Sequence, residues 1–395
     1  MFMKKNLFIL CLILANSSNS LTALAQPENS RREMDALLAK PAVVRICNGF
    51  SGVIEFDNKK EEISKISCGA GFFINPNGFI ATNAHVTEFA NRQQGATENE
   101  VREKFLETII KKIAEKNNSN PDIIAQNLEL SSFKYIHHVL LPSCGEPISF
   151  MVKNFGKPNG EGEDVAIIKV ETNNAPSIRI ATDSRQVRLQ DEVTVVGYPG
   201  AADQDTTCKS FHQTSFSRGI VSAKKSDENG NPVLQLDANA SWGNSGGPVL
   251  NNQGEVIGLA TAIGLAKEQL PVGITFVVPA TKLQEFIRDA GATNTEGSTN
   301  RLFQEGLQLY EDKCYNSAIR KFEDTKQLFP QHSEVDKLIR DSREAISSNQ
   351  GRWEIFCSNN SKVFNLPGWL WVVSGGSISV IVILLIVRSR AVNSI

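Results

Sequence analysis

The stretch Gly243-Asn244-Ser245-Gly246-Gly247-Pro248 constrains this chain more than any other, because it sets a serine among glycines in the middle of strand-like sequence. A nucleophilic serine needs a base to take its proton, a carboxylate to orient that base, and backbone N–H groups aimed at the oxyanion that forms on attack. Both side-chain partners stand upstream. Thr82-Asn83-Ala84-His85-Val86 ends a strand pattern, and Glu163-Asp164-Val165-Ala166-Ile167-Ile168 sets an acid before a run that reads as a buried strand. The order along the chain is therefore His85, Asp164, Ser245.

That order separates two readings. Gly243-x-Ser245-x-Gly247 also fits the nucleophile elbow of α/β-hydrolases, but those folds need the acid and the histidine after the serine. The one histidine beyond Ser245 is His332, in a polar, helical stretch, so the elbow reading fails. The His, Asp, Ser order is that of chymotrypsin-like double β-barrels. From about Cys68 to Arg288 the chain resembles the trypsin-like serine proteases, of the HtrA/Deg type. The resemblance is carried by Gly69-Ala70-Gly71-Phe72-Phe73-Ile74, Gly78-Phe79-Ile80-Ala81-Thr82-Asn83-Ala84-His85-Val86, Asp164-Val165-Ala166, Val196-Gly197-Tyr198-Pro199-Gly200, Arg218-Gly219-Ile220-Val221-Ser222, the serine loop and Gly273-Ile274-Thr275-Phe276-Val277-Val278-Pro279.

The resemblance implies a mainly β protein, a chymotrypsin-like double β-barrel with the triad between two six-stranded barrels, that hydrolyses peptide bonds through an acyl-enzyme. On it, His85, Asp164 and Ser245 are catalytic, and the backbone N–H groups of Gly243 and Ser245 form the oxyanion hole. The substrate pocket falls on Asn239, Trp242 and Thr261. Asn239 stands six residues before the serine, where trypsin carries the acid that binds Arg or Lys, so medium apolar side chains are expected there instead. Trp242 replaces the proline usual in HtrA-type chains. Glu161 and Glu163 are the alternative acids, and His137-His138 the alternative bases, but neither pair has the sequence context of Asp164 or His85.

The ends of the chain carry a second message. Met1 to Lys5 is basic, Leu7 to Ala15 apolar, and Ala23-Leu24-Ala25 a small-x-small site, which together read as a signal peptide over 1–25. Trp369 to Val387 is uncharged and is followed by Arg388 and Arg390. At about 1.5 Å per residue such a run matches a hydrocarbon core of roughly 30 Å. A single-pass transmembrane helix over 368–388 with a cytoplasmic tail at 389–395 is expected, the basic residues marking the inner side. Everything between leader and anchor then lies outside the cytoplasm, periplasmic or extracellular.

Cysteine usage fits an exported chain. Setting Cys11 aside with the leader leaves Cys47, Cys68, Cys144, Cys208, Cys314 and Cys357, an even number that suggests disulfides. Cys47 and Cys68 flank a hairpin pattern, Val43 to Phe56 and Ile63 to Ile74, and form the first expected pair; Cys314 and Cys357 form a pair private to the C-terminal part. No C-x-x-C or H-E-x-x-H occurs, so neither a metal nor a cofactor is expected. With 41 basic against 43 acidic residues, no nucleic-acid partner is expected either.

Between these ends the protease-like part is read over 42–292. Its helical insertion, about 97–132, opens on the capping box Thr97-Glu98-Asn99-Glu100 and repeats Val101, Phe105, Ile109 and Ile113 on one face. It reads as a helix packed on the barrel, with a lid beside the cleft as the sharper alternative. Short strands at Ile178–Thr182, Asp191–Tyr198, Gly219–Ala223 and Val233–Leu236 and a closing helix at Thr281–Ala290 complete the second barrel. Residues 293–300 are polar and small, which marks a linker. Gly306, Leu309, Tyr315, Ala318, Phe322 and Pro330 then fall at offsets resembling a tetratricopeptide repeat, over 301–348, with a connector at 349–367. HtrA-type chains often carry a PDZ domain at this place, and none is expected here from the residues. One repeat cannot bury its own face, so this module must pack on the protease, a protein partner, another copy, or the helix at Val335–Ile346. The reading is a membrane-anchored serine endopeptidase acting on extracytoplasmic polypeptides; the rival is a catalytically silent scaffold that binds partner proteins through the helical module and the insertion.

Overall fold

The computed structural model describes residues 28–158, 163–183, 187–200, 213–227, 229–238, 243–261, 273–350 and 357. The expected leader and the expected span Trp369–Val387 lie outside them. No helix among the described residues is long and apolar enough to cross a membrane.

A short helix, α1 (Glu28–Ala39), and a 3₁₀ turn at Lys40–Ala42 lead into the first barrel. Strands β1 (Val43–Phe56) and β2 (Lys59–Phe73) form a long antiparallel hairpin. It turns at Asp57 and Asn58, with φ of 49° and 60°. Short polar side chains tolerate that left-handed geometry, and two such residues match the twist of the flanking strands. β3 (Phe79–Thr82), β4 (Leu128–Leu140), β5 (Ile148–Phe155) and β6 (Ala166–Val170) close the barrel in the order β1-β2-β3-β6-β5-β4. The second barrel comprises β7 (Glu192–Gly197), β8 (Ser215–Ser226), β9 (Pro232–Asp237), β10 (Pro248–Leu250), β11 (Val256–Thr261) and β12 (Thr275–Pro279). It closes in the order β10-β11-β12-β9-β8-β7. Two closed six-stranded barrels are thus present, each with its own apolar interior.

A third apolar cluster fills the seam. It joins Phe72 and Ile167 of the first barrel to Tyr198 and Leu259 of the second, and to Leu283 and Ile287 of α5 (Ala280–Asp289). The Tyr198 hydroxyl crosses that seam to donate to the Val43 carbonyl at 2.8 Å. Burial holds this phenol's pKa far above its ordinary value, so it stays a donor.

Helix α2 (Ala84–Arg92) follows β3 directly, and the insertion supplies α3 (Glu98–Asn117) and α4 (Pro121–Asn127). Both bonds of the expected capping box form on α3: Thr97 accepts from the Glu100 N–H, and the Glu100 carboxylate accepts from the Thr97 N–H. Phe105 and Ile109 pack on Phe50 and Ile54 of β1 and on Leu130 of β4. The helix therefore buttresses the part of the hairpin that projects beyond the barrel. The chain returns to strand at Leu128, earlier than the expected insertion end at 132.

The stretch 178–182 is not a strand of the ladder. Its backbone groups bond three different segments: Ile178 N–H to Phe73 O, Ile180 N–H to Asn294 Oδ1, and Ala181 N–H to Val256 O. Only an isolated bridge, Ile180 with Val256, remains. The expected linker 293–300 supplies part of this bonding. Asn294 Nδ2 donates to the carbonyls of Ile74 and Ile178, Thr299 Oγ1 to that of Asn174, and Asn300 Nδ2 to that of Ser177. The polar residues that suggested a free connection instead fasten it to the barrels.

Beyond it α6 (Ser298–Glu311), α7 (Tyr315–Leu328) and α8 (Val335–Ser347) form a helical module. Gly306 lies against the Phe322 ring, which a Cβ would approach to 2.6 Å. Met34, Leu37 and Leu38 of α1 cover the module core, and Lys40 pairs with Glu334 at 2.9 Å. The apolar core of this module is thus covered in part by α1. Disulfides join Cys47 to Cys68 and Cys314 to Cys357, as expected, and Cys144 is also disulfide-bonded.

Candidate active site

The turn around Ser245 is held from both barrels. The Ser245 carbonyl accepts from the Ala70 N–H of β2 at 2.8 Å, and the Gly246 N–H donates to the Ala260 carbonyl of β11 at 2.8 Å. Gly243 and Gly246 have φ of 98° and 84°, which L side chains adopt only with strain. A Cβ on Gly243 would lie 2.0 Å from the Tyr198 carbonyl; one on Gly246 would lie 2.2 Å from both the Ala70 carbonyl and Thr82 Oγ1. Only glycines let the loop come this close to the segment that leads into His85. Ser245 itself is 4% exposed.

His85 sits in the first turn of α2, behind its N-cap Asn83. Such a helix start leaves N–H groups without partners, and an Asn side chain ordinarily accepts from one of them. Here Asn83 makes no such bond; its Nδ2 donates to the Asp164 backbone carbonyl at 2.7 Å. Asp164 takes over the capping role from another segment. Its Oδ1 accepts from the His85 N–H at 3.0 Å, while its Oδ2 meets His85 Nδ1 at 2.6 Å. Thr261 Oγ1 of β11 donates to the same Oδ2 at 3.3 Å. One carboxylate therefore caps the helix, holds the imidazole ring and reaches the second barrel. With Nδ1 donating to the carboxylate, the lone pair of the neutral ring is on Nε2.

Each residue singled out in the sequence can now be located. His85 and Asp164 are brought into contact, and the Ser245 turn packs on Thr82 and Asn83 beside them. Thr261, read as a pocket residue, has its hydroxyl on Asp164. Asn239, Trp242 and Glu161 lie outside the described residues. Glu163 points elsewhere, pairing with Lys282 at 3.2 Å; bonds to Glu285 and Glu163 raise that lysine's pKa. His137 and His138 lie on β4, ring against ring at 5.6 Å, and burial lowers both their pKa values. Two positioning residues were not singled out in the sequence: Asn48 lies outside the motifs, and Ala70 lies within Gly69-Ala70-Gly71 without a role assigned to it. Asn48 is buried on β1 and holds α2 through the Val86 carbonyl and the Ala90 N–H, and Ala70 acts through its backbone alone.

The fold and this seam define a two-barrel protein in which an acid-held imidazole and a glycine-bound serine turn lie on adjoining segments. Residues 69–259 match the family described as Trypsin-like peptidase domain. The chain is similar to Serine endoprotease DegS of Haemophilus influenzae, 24% identical over 64% of this chain and 58% of that one. It is similar to mitochondrial Serine protease HTRA2 of Drosophila willistoni, 26% identical over 69% of this chain and 51% of that one. Chloroplastic Protease Do-like 2 of Arabidopsis thaliana is 36% identical over 32% of this chain and 20% of its own length. The chain thus spans between about a fifth and somewhat over half of these relatives. A solved HtrA-type protease with a tripeptide aligns at a TM-score of 0.42 and 19% identity, over 65% of this chain and 62% of that one.

Proposed function

We propose that the protein is a serine endopeptidase. Ser245 attacks a peptide carbonyl, His85 Nε2 takes the hydroxyl proton and returns it to the leaving amine, and Asp164 fixes the tautomer and stabilises the imidazolium. The backbone N–H groups of Gly243 and Ser245 receive the oxyanion, each donor worth roughly 3 kcal/mol in the transition state. The observation that carries this reading is the 2.6 Å contact between His85 Nδ1 and Asp164 Oδ2, in a seam that also clamps the Ser245 turn. The family match over 69–259 supports the same chemistry.

The setting we propose is a single-pass membrane anchor with the barrels outside the cytoplasm, where the enzyme degrades or processes extracytoplasmic polypeptides, with medium apolar residues entering a pocket that includes Asn239 and Trp242. The disulfides Cys47–Cys68 and Cys314–Cys357 support an oxidising compartment. The helical module, tetratricopeptide-like in its residue offsets, would serve as a surface for a partner protein or a second copy. Reaction with a fluorophosphonate probe tests the chemistry: the folded protein is expected to label, and Ser245→Ala to lose the label. Folded protein that stays unlabelled refutes the peptidase and leaves the silent scaffold.

A further inference from the structure

Among the described residues, few side chains that carry charge near neutral pH are buried. Asp164 belongs to the site and Glu334 pairs with Lys40, but Arg45 of β1, 5% exposed, takes no part in the chemistry of the triad. A guanidinium is expensive to take out of water, and a well-packed apolar side chain of similar size often serves a fold as well. The seam that takes this one in is built from apolar side chains such as Val43, Phe72 and Leu259.

The alternation of β1 decides where Arg45 points. Val44 and Ile46 fill the first barrel, whereas Val43 belongs to the seam. Residues two apart on a strand share a face, so Arg45 faces the seam with Val43. There its guanidinium carbon lies 5.9 Å from the centre of the Tyr198 ring, a separation at which an aromatic face attracts a cation, more strongly where both are desolvated. The same tyrosine is fixed through its hydroxyl to the carbonyl of Val43, two residues before Arg45. Across the ladder Arg45 stands opposite Ala70 of β2, and side chains so paired lie about 5 Å apart.

Each of these neighbours supports one of the two residues assigned to the oxyanion. Tyr198 supports Gly243: its N–H donates to the Gly243 carbonyl at 3.4 Å, and its own carbonyl would be 2.0 Å from a Cβ on that glycine. Ala70 supports Ser245: its N–H donates to the Ser245 carbonyl at 2.8 Å, while its carbonyl accepts from Thr82 Oγ1 at 2.7 Å. One support comes from the second barrel and the other from the first, and they meet at Arg45.

We infer that Arg45 is a positioning residue for the oxyanion site: its guanidinium, set between the Tyr198 ring and β2, fixes the spacing of the Gly243 and Ser245 N–H groups. The inference rests on the peptidase reading. Two donors stabilise an oxyanion only when both are aligned on it, because hydrogen bonds weaken steeply with misdirection. Without the guanidinium the Tyr198 corner shifts against β2, and the loss falls on bond formation at Ser245 rather than on the binding that precedes it.

Fluorophosphonate labelling of the full chain, followed over a range of probe concentrations, tests this, because the phosphonyl oxygen takes the place of the oxyanion. The maximal rate and the half-saturating concentration are read separately, well below the thermal midpoint of each protein. Arg45→Met is expected to lower the maximal rate at least about thirtyfold and to leave the half-saturating concentration within about threefold of the parent's. Arg45→Lys keeps a cation for the ring and is expected to label at least about fivefold faster than the methionine variant. Should Arg45→Met not fold, Arg45→Gln carries the same expectation. A neutral variant that labels at the parental rate overturns the inference. So does a lysine variant as slow as the neutral one, or a loss that falls on the half-saturating concentration instead. If the parent chain never labels, the peptidase reading falls and the inference with it; if the parent labels and only the Arg45 expectations fail, the peptidase stands without this residue.

Discussion

Replacing Asp164 by asparagine separates the two tasks of that side chain. The carbonyl oxygen of the amide can still accept from the His85 N–H, so the start of α2 keeps its cap. The amide NH₂, placed where Oδ2 now meets His85 Nδ1 at 2.6 Å and Thr261 Oγ1 at 3.3 Å, is a donor facing a donor. The ring is driven to the opposite tautomer, with the proton on Nε2, and cannot take the serine proton. In the trypsin-like template this change lowers kcat by about 10⁴, or about 5.4 kcal/mol at 1.36 kcal/mol per decade. Asp164→Ala loses the chemistry and the cap together, and the lost cap adds about 1 kcal/mol of destabilisation. The assay is the second-order rate of fluorophosphonate labelling beside the thermal midpoint of each protein. The expected pattern is a common collapse of labelling, with the midpoint lowered more in the alanine variant. Labelling of Asp164→Asn within tenfold of the parent refutes the assigned role of the carboxylate.

Gly246→Ala forces a Cβ to within 2.2 Å of two atoms of the first barrel at φ 84°; we expect more than about 3 kcal/mol lost in chemical denaturation, and no labelling of the residual folded protein. Glu334→Gln leaves Lys40, partly exposed at 23%, without its partner at the junction of α1 and the helical module. About 2 kcal/mol should be lost, less than for a fully buried charge, and seen as faster amide exchange in α6 to α8. His332 is buried on Phe303 with Nε2 unpartnered, and burial lowers its pKa to about 3, from an ordinary histidine value of about 6.5. The unfolded chain then binds more protons between those values, so stability is full above about pH 6.5 and falls as pH drops toward 3, by up to about 1.4 kcal/mol per unit. His332→Phe should abolish that component of the slope in pH-dependent unfolding; an unchanged slope would contradict the buried, neutral state.

What could be read from the sequence and what could not divide along a physical line. The edges of β1 and the start of α3 were legible because each is written locally, in apolar alternation and in a capping box. The outer end of β2 was not, because Lys59 to Glu62 are exposed on the hairpin tip and carry no burial pattern; only the turn at Asp57-Asn58 marks where that strand must begin. The stretch 178–182 showed strand-like residues without a strand, since its backbone partners, Phe73, Asn294 and Val256, come from three distant places. The same long-range bonding turned an expected linker into a fastening. At the site itself, spacing and order named His85 and Asp164 and marked the serine turn beside them, but not the exchange of partners that positions them. Asn83 looks like an ordinary helix cap, yet it binds the Asp164 backbone, and the Asp164 carboxylate caps the helix instead. Capping from another segment makes the helix that carries the imidazole depend on the segment leading into β6 that carries the acid. The orientation of the ring and the closure of the first barrel are for that reason one structural event, and a substitution at Asn83 should disturb the chemistry without touching a reacting atom.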